Sequence, residues 1–330
     1  MIYVKVLQTS KPTTKITFLR HCERVIFLLA KECLSEFRLD CELRRMSKRT
    51  IKGYYNNNAR CLTYLERQYG VYELEEIKPP HLKSYFQNLI GQGLSSSYGN
   101  GILKGVRAFF KYAVEEGYLA VNPALKVRWQ KEGKVLINTF TDQEVERMIG
   151  AFNCKTYLSA RNKLILAIAF DTGARNSEIC GIGCQDIRDN VILIHGKGNK
   201  ERCVPLTPYL KKLMLKYERL RKEYFLDKPL NYDNYLLSRT GRPLTTEALE
   251  HIFTQANEKA KVRDTVRCSP HTARHYYAQC NLRNGLDVYS LSRLLGHENI
   301  NITKRYLQSI QDESIVTLAV QSSPLSNLKL

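Results

Sequence analysis

Acidic residues are in short supply in this chain of 330 residues: 32 Asp and Glu face 51 Lys and Arg, leaving a formal net charge of +19. A surface of that sign attracts polyanions and releases condensed counterions on meeting DNA or RNA; a basic protein without a nucleic-acid partner is the bland alternative. The 10 cysteines include no CxxC pair, and no His/Cys group has zinc-ligand spacing, which argues against a zinc module. Long apolar runs are missing too. The longest near the N-terminus, Val25 to Ala30, is short and closely flanked by charge, so neither a membrane span nor a signal peptide is expected. A reducing cytoplasm is the expected location, with cysteines as small core residues. There is no internal repeat, no low-complexity segment and no acidic cluster of the kind two-metal nucleases use.

The length admits two domains, each with its own core. Leu19, Cys22, Ile26, Leu29 and Cys33 recur at three-and-four spacing and predict an amphipathic helix. Ile51, Tyr55, Leu62, Leu65 and Tyr69 predict a second, stopped by Gly70. Pro79-Pro80 opens a third, ending near Gly91. A longer helix turns Ile102, Val106, Phe109, Phe110 and Ala113 inward and carries Lys104, Arg107 and Lys111 on its other side, either as a solvated face or as a phosphate-tracking one. Asn122-Pro123 closes this group. Helix resumes at Thr141, which forms a capping box with Glu144. Beyond it, Leu164 to Phe170 reads as a buried helix, and "VILIHGKGNKERCVPL" as a β-hairpin around a Gly/Asn turn. The expected division is therefore an N-terminal helical extension over 1–44, a helical domain over 45–125, a linker over 126–140, a mixed domain over 141–310 and a tail over 311–330.

Four segments of the second domain carry the chemistry: "TGARNSEICGI" (Thr172 to Ile182), "GKGNKER" (Gly196 to Arg202), "SPHTARHYYA" (Ser269 to Ala278) and "LLGHENINITKRY" (Leu294 to Tyr306). Each alone is weak. In this order they resemble the catalytic domain of the tyrosine recombinase (phage integrase) family, and the helical domain ahead of them resembles that family's core-binding domain. The resemblance implies a mainly α fold with a small β-sheet: a helical SAM-like core-binding domain followed by a mixed α+β catalytic domain. Matched position by position, it makes Arg175 the first catalytic arginine, Lys197 the hairpin lysine, His271 and Arg274 the HxxR pair, His297 the second histidine and Tyr306 the nucleophile. Glu178 matches the acidic residue that positions the first arginine. Asn176 and Ala273 depart from the commoner residues without removing a reactive group.

The chemistry agrees with these assignments. Phosphodiester transfer passes through a pentavalent phosphorus with charge on two non-bridging oxygens, and paired guanidiniums offer permanently protonated forks for it. Lys197 can protonate the leaving 5′-oxygen, although Lys200 lies three residues away on the same turn. His271 can accept or shuttle the phenolic proton, and His297 can hydrogen-bond a phosphate oxygen. Tyr306 would form a 3′-phosphotyrosyl link that stores the bond energy, so no cofactor and no metal is implied. Tyr276 and Tyr277 compete with Tyr306 but fall on a helix with Ala278 and Leu282, as packing residues do. Asp287 is expected to cap the "LLGH" helix and Asn301 the short helix bearing Tyr306.

The expected function is site-specific recombination through a Holliday junction, by a homotetramer on double-stranded DNA recombination sites, as the integrase of a mobile element, with resolution of chromosome dimers and inversion of a segment as open alternatives and accessory directionality or DNA-bending proteins as possible partners; no membrane partner is expected. A type IB topoisomerase-like enzyme and a non-catalytic DNA-binding protein on the same fold are the alternatives. The tail, with "SIVTLAV" (Ser314 to Val320), reads as a subunit contact or an ordinary intramolecular helix.

Overall fold

In a computed structural model the chain divides into two compact units, Met1–Lys134 and Val135–Leu330. The structure describes residues 29–133, 137–196, 200–309 and 320. Most of the expected N-terminal helix, the expected hairpin lysine Lys197 and the tail segment Ser314 to Ala319 lie outside the described residues.

The first unit is helical. It contains α1 (Ala30–Leu43), α2 (Lys48–Tyr69), α3 (Pro79–Gly91) and α4 (Ser96–Glu115). Helix α1 buries Cys33, Leu34, Phe37 and Cys41 in the same core as α2–α4. Helix α2 ends where Gly70 adopts φ 64° as its left-handed cap. Its buried line differs from the expected one: Leu62 and Leu65 are buried, but Tyr55 and Tyr69 are 36% and 44% exposed. Asn58 and Cys61 complete the buried face instead. The Asn58 amide donates to the carbonyls of Tyr54 and, on α4, Gly105, at 2.9 and 3.2 Å. A polar residue with both of its donors satisfied can take an inward position that hydrophobic periodicity does not reveal.

All five expected inward residues of α4 are buried. On its other side Arg107 is committed within the unit: it donates to the Ala124 and Val127 carbonyls and lies 4.4 Å from the centre of the Trp129 ring. Lys111 pairs with Glu115 one turn on. Asn122 caps a short 3₁₀ turn, Pro123–Lys126, and Asn100 ties Gln130 and Glu132 back to α4.

The second unit holds α5 (Asp142–Gly150), α6 (Tyr157–Thr172), α7 (Asn176–Gly181), strands β1 (Val191–His195) and β2 (Glu201–Pro205), then α8 (Pro208–Tyr224), α9 (Thr246–Ala260), α10 (Pro270–Arg283), α11 (Val288–Leu295) and α12 (Ile300–Lys304). The capping box of Thr141 and Glu144 starts α5. Every residue from Leu164 to Phe170 is buried, which makes α6 the central helix of this core. The two strands pair antiparallel, from Val191 opposite Pro205 to His195 opposite Glu201. The hairpin is closed by the Gly196 N–H, which donates to the Lys200 carbonyl at 2.7 Å. Mainly α with one small sheet is thus the observed architecture.

Asp287 caps α11 as expected, accepting from the N–H groups of Tyr289 and Ser290. The cap of α12 is Asn299, whose side chain accepts from the Asn301 N–H; Asn301 itself lies inside the helix. The helix starts two residues earlier than expected, at Ile300, and Asn299 then has the extended backbone that a cap needs. Tyr306 follows in a 3₁₀ turn, Arg305–Ser309. Among the described residues no helix is long and apolar enough to cross a membrane.

Candidate active site

Four parts of the chain converge in the second unit: the α6–α7 turn, strand β2, one face of α10, and the end of α11 with the segment that follows. Gly173 ends α6 at φ 60°. A Cβ there would meet the Tyr277 ring at 2.5 Å, so only glycine turns the chain this closely. Two residues later Arg175 is the N-cap of α7, and its own N–H donates to Glu178 Oε2 at 2.7 Å. On α10, capped by Ser269, His271, Arg274 and His275 are spaced i, i+3, i+4 and share a face.

The "LLG" run acts through its backbone. Arg202 Nε donates to the Leu294 carbonyl at 2.7 Å, Arg274 Nη2 to Leu295 at 2.6 Å, and Arg175 Nη2 to Gly296 at 3.1 Å. These oxygens belong to the C-terminal end of α11, where carbonyls lack helical partners and the helix dipole is negative. Three guanidiniums are thereby oriented by three successive carbonyls. Arg274 is 3% exposed and also donates to the Gly173 carbonyl at 2.7 Å.

Glu178 joins the arginines from the other side. It accepts from Arg175 Nη1 at 2.7 Å and from Arg202 Nη1 and Nη2 at 3.0 and 2.7 Å. Burial raises a carboxyl, but here the bonded Arg202 and the Arg175 N–H outweigh it and hold Glu178 at about 2. With three guanidiniums against one carboxylate, the cluster keeps a positive excess suited to a phosphate.

Ionised Glu178 contributes stability above its ordinary value of 4.5, and that contribution disappears as pH falls towards 2. Urea titrations across this window should show Glu178→Gln losing pH dependence worth about 3 kcal/mol relative to the parent. Equal slopes for the two proteins would show that Glu178 is not the group responsible.

The histidines are held neutral. Burial, then the charges of Arg274, Arg175 and Arg202, push His297 down to about 4; its Nδ1 lies 2.7 Å from Thr303 Oγ1, which fixes the ring. Desolvation and the neighbouring Arg274, Arg267 and Arg175 lower His271 as well. Burial and Arg175 bring Arg274 down to about 10, still protonated at neutral pH. Tyr306 is 3% exposed and packs with Tyr277, Leu291 and Leu295. Burial raises its phenol, while Arg274, Arg305 and Arg175 pull the other way.

Of the expected residues, Arg175, His271, Arg274, His297 and Tyr306 are brought together, with Glu178 beneath them. Lys197 lies outside the described residues; Lys200, its rival on the turn, is paired with Glu298 at 2.8 Å. Tyr277 is buried in packing, and Tyr276 donates to Asp142. Asn176, one of the two departures, donates to the Thr246 carbonyl and ties α7 to α9. Two site residues escaped the sequence reading. Arg202 ends the "GKGNKER" run, where the lysines drew attention. His275, whose Nδ1 lies 2.8 Å from the Tyr306 hydroxyl, was signalled only by its i+4 spacing from His271. Among the described residues no group of His, Cys, Asp and Glu is arranged to hold a metal ion.

The cluster thus sets paired arginines, histidines whose basicity is lowered and a tyrosine hydroxyl side by side, with an excess of positive charge. Residues 138–313 match the Phage integrase family, and residues 33–118 match its N-terminal SAM-like domain. The chain belongs to the phage integrase family and is a tyrosine recombinase, an enzyme that cuts and rejoins DNA strands. It is 28% identical over 265 residues to the tyrosine recombinase XerC of Lactobacillus leichmannii, covering 80% of this chain and 89% of that one. It is 29% identical over 267 residues to XerC of Bacillus pumilus (strain SAFR-032), covering 80% and 87%. Among solved structures it shares its fold with XerH bound to a palindromic difH substrate (TM-score 0.70, 19% identity, covering 89% of this chain and 88% of that one). A lambda integrase tetramer bound to a Holliday junction is similar at TM-score 0.66, with 17% identity and coverage of 85% and 77%.

Proposed function

We propose that this recombinase cleaves one strand of a specific duplex site by attack of Tyr306 on the scissile phosphorus, leaving a 3′-phosphotyrosine and a free 5′-hydroxyl. Arg175 and Arg274 stabilise the charge on the non-bridging oxygens, with His297 donating to one of them. His271 serves at the same phosphate, and Lys197 protonates the leaving 5′-oxygen. Attack is in cis, within the subunit that supplies the arginines. The observation that carries the reading is the convergence of Arg175, Arg274 and Tyr306, from segments far apart in sequence, around the end of one helix.

The net charge of +19 supports a duplex partner held largely through phosphates. The assembly proposed is a homotetramer on two sites, exchanging strands through a Holliday junction, as the lambda integrase tetramer was captured. The biological task proposed is integration and excision of a mobile element, with accessory DNA-bending or directionality proteins. Cytoplasmic residence, on the nucleoid when bound, belongs to the same reading.

The test is a nicked duplex built from the paired repeats flanking the gene, in which the fragment beyond the cut diffuses away and traps the intermediate. A denaturant-resistant adduct should form, and its nucleotide-bearing peptide should contain Tyr306. A modified peptide from elsewhere in the chain would overturn the assignment.

A further inference from the structure

A phenol that attacks phosphorus has to lose its proton, and the imidazole hydrogen-bonded to it is one that the sequence reading passed over. We infer that His275, and not the His271 to which the phenolic proton was expected to pass, is the base that takes that proton as the Tyr306 oxygen bonds to phosphorus; the inference rests on Tyr306 being the nucleophile.

The geometry comes first. His275 Nδ1 and the Tyr306 hydroxyl oxygen are 2.8 Å apart, within the reach that proton transfer needs. His275 projects from the same face of α10 as His271 and Arg274, and its ring meets that of His271 edge-on, with centroids 4.2 Å apart. The base is therefore part of the catalytic face and not of the packing behind it. Arg274 and Arg175, the groups that would hold the phosphate, also act electrostatically on the Tyr306 phenol and favour its ionised form.

The protonation state agrees. Burial, then His271, Arg274 and Arg305, bring His275 down to about 4, so at neutral pH the ring carries no charge. With its one proton on Nε2, Nδ1 presents a lone pair and the Tyr306 O–H donates to it. An arriving phosphodiester brings negative charge among these cations and raises the basicity of the ring when it is needed.

In the forward step the Tyr306 oxygen forms the new P–O bond, the bond from phosphorus to the 5′-oxygen breaks, and the phenolic proton passes to His275 Nδ1. The 5′-oxygen takes its proton from the opposite side, from the group assigned above as Lys197. Rejoining reverses each transfer, with protonated His275 returning the proton to the departing phenolate.

The experiment uses the full chain, the nicked duplex described above, and a second substrate. That substrate is a strand ending in a 3′-p-nitrophenyl phosphate, which the enzyme joins to a 5′-hydroxyl strand. Nitrophenolate leaves without needing a proton, so this reaction uses the phosphate-binding groups but not the proposed base. It is run in a Tyr306→Phe background. Two variants are compared, each checked for duplex binding by gel shift: His275→Ala, and His275→Asn, which keeps a hydrogen-bond acceptor near the Nδ1 position but takes up no proton. Both should cleave the nicked duplex about a hundredfold or more slowly, while joining from the nitrophenyl ester stays within about threefold of the parent. Equal losses in both reactions would show a merely structural role and overturn the inference. Parental cleavage by His275→Asn would show that the hydrogen bond alone matters, and faster cleavage by His275→Ala would show that His275 restrains the tyrosine. An adduct that survives Tyr306→Phe in the parent protein would strike at the nucleophile reading itself, independently of the His275 arms.

Discussion

A Tyr306→Phe protein is expected to bind its duplex normally and to form no covalent adduct, with strand cleavage reduced by about four orders of magnitude or more. The change removes one oxygen and leaves the ring, which is 3% exposed and packed with Tyr277, Ala278, Leu282, Leu291 and Leu295. The fold should tolerate it. His275 Nδ1 loses its partner, a cost of about 1–2 kcal/mol, and no charge changes, so phosphate contacts persist. Loss of cleavage without loss of melting temperature or gel-shift affinity is therefore the expected signature. Adduct formation by the variant would move the nucleophile elsewhere, to Tyr276 or Tyr277 in the first instance, although both are occupied otherwise.

Arg274→Ala is expected to lower cleavage about 10²–10³-fold and, unlike Tyr306→Phe, to unsettle the fold as well. The guanidinium is 3% exposed and satisfies two buried carbonyls, Gly173 at 2.7 Å and Leu295 at 2.6 Å. Removing it leaves both without a donor, at about 1–3 kcal/mol each, partly offset because a desolvated charge goes with it. Both carbonyls belong to turns that set the catalytic groups: one precedes Arg175, the other precedes His297. Arg274→Lys separates the two effects. An ammonium can reach one carbonyl but cannot fork across two, so melting temperature should partly recover while cleavage stays low. Wild-type cleavage by either variant would remove Arg274 from the transition state.

Legibility in the sequence followed how local each feature is. Helix ends governed by one residue's backbone or side chain were readable: Gly70 and Asp287 as caps, the Pro79 start of α3, the Thr141 box. The inward face of α4 was readable because five apolar residues repeat along it. The face of α2 was misread at Tyr55 and Tyr69, since an amphipathic phenol satisfies a helix pattern equally well at the rim of a core. The cap of α12 falls on Asn299 instead of Asn301, two residues earlier, in a stretch where either asparagine could cap a turn.

The sequence by itself determined that a tyrosine, two arginines, a lysine and two histidines stand in an order that implies phosphoryl transfer, because reactive groups are written in residue identity and their order survives folding. What only the tertiary structure decided is how those groups are held. Three arginines on three different elements each take one carbonyl at the end of α11, and Glu178 locks two of them. Backbone acceptors have no letter in the sequence, so neither Arg202's place in the cluster nor the reason for "LLG" could be read there. The same holds for His275 and Tyr306, which are 31 residues apart and meet only because α10 and the turn after α12 pack together. A hydrogen bond between distant residues is a property of packing, and packing is what the linear chain does not record.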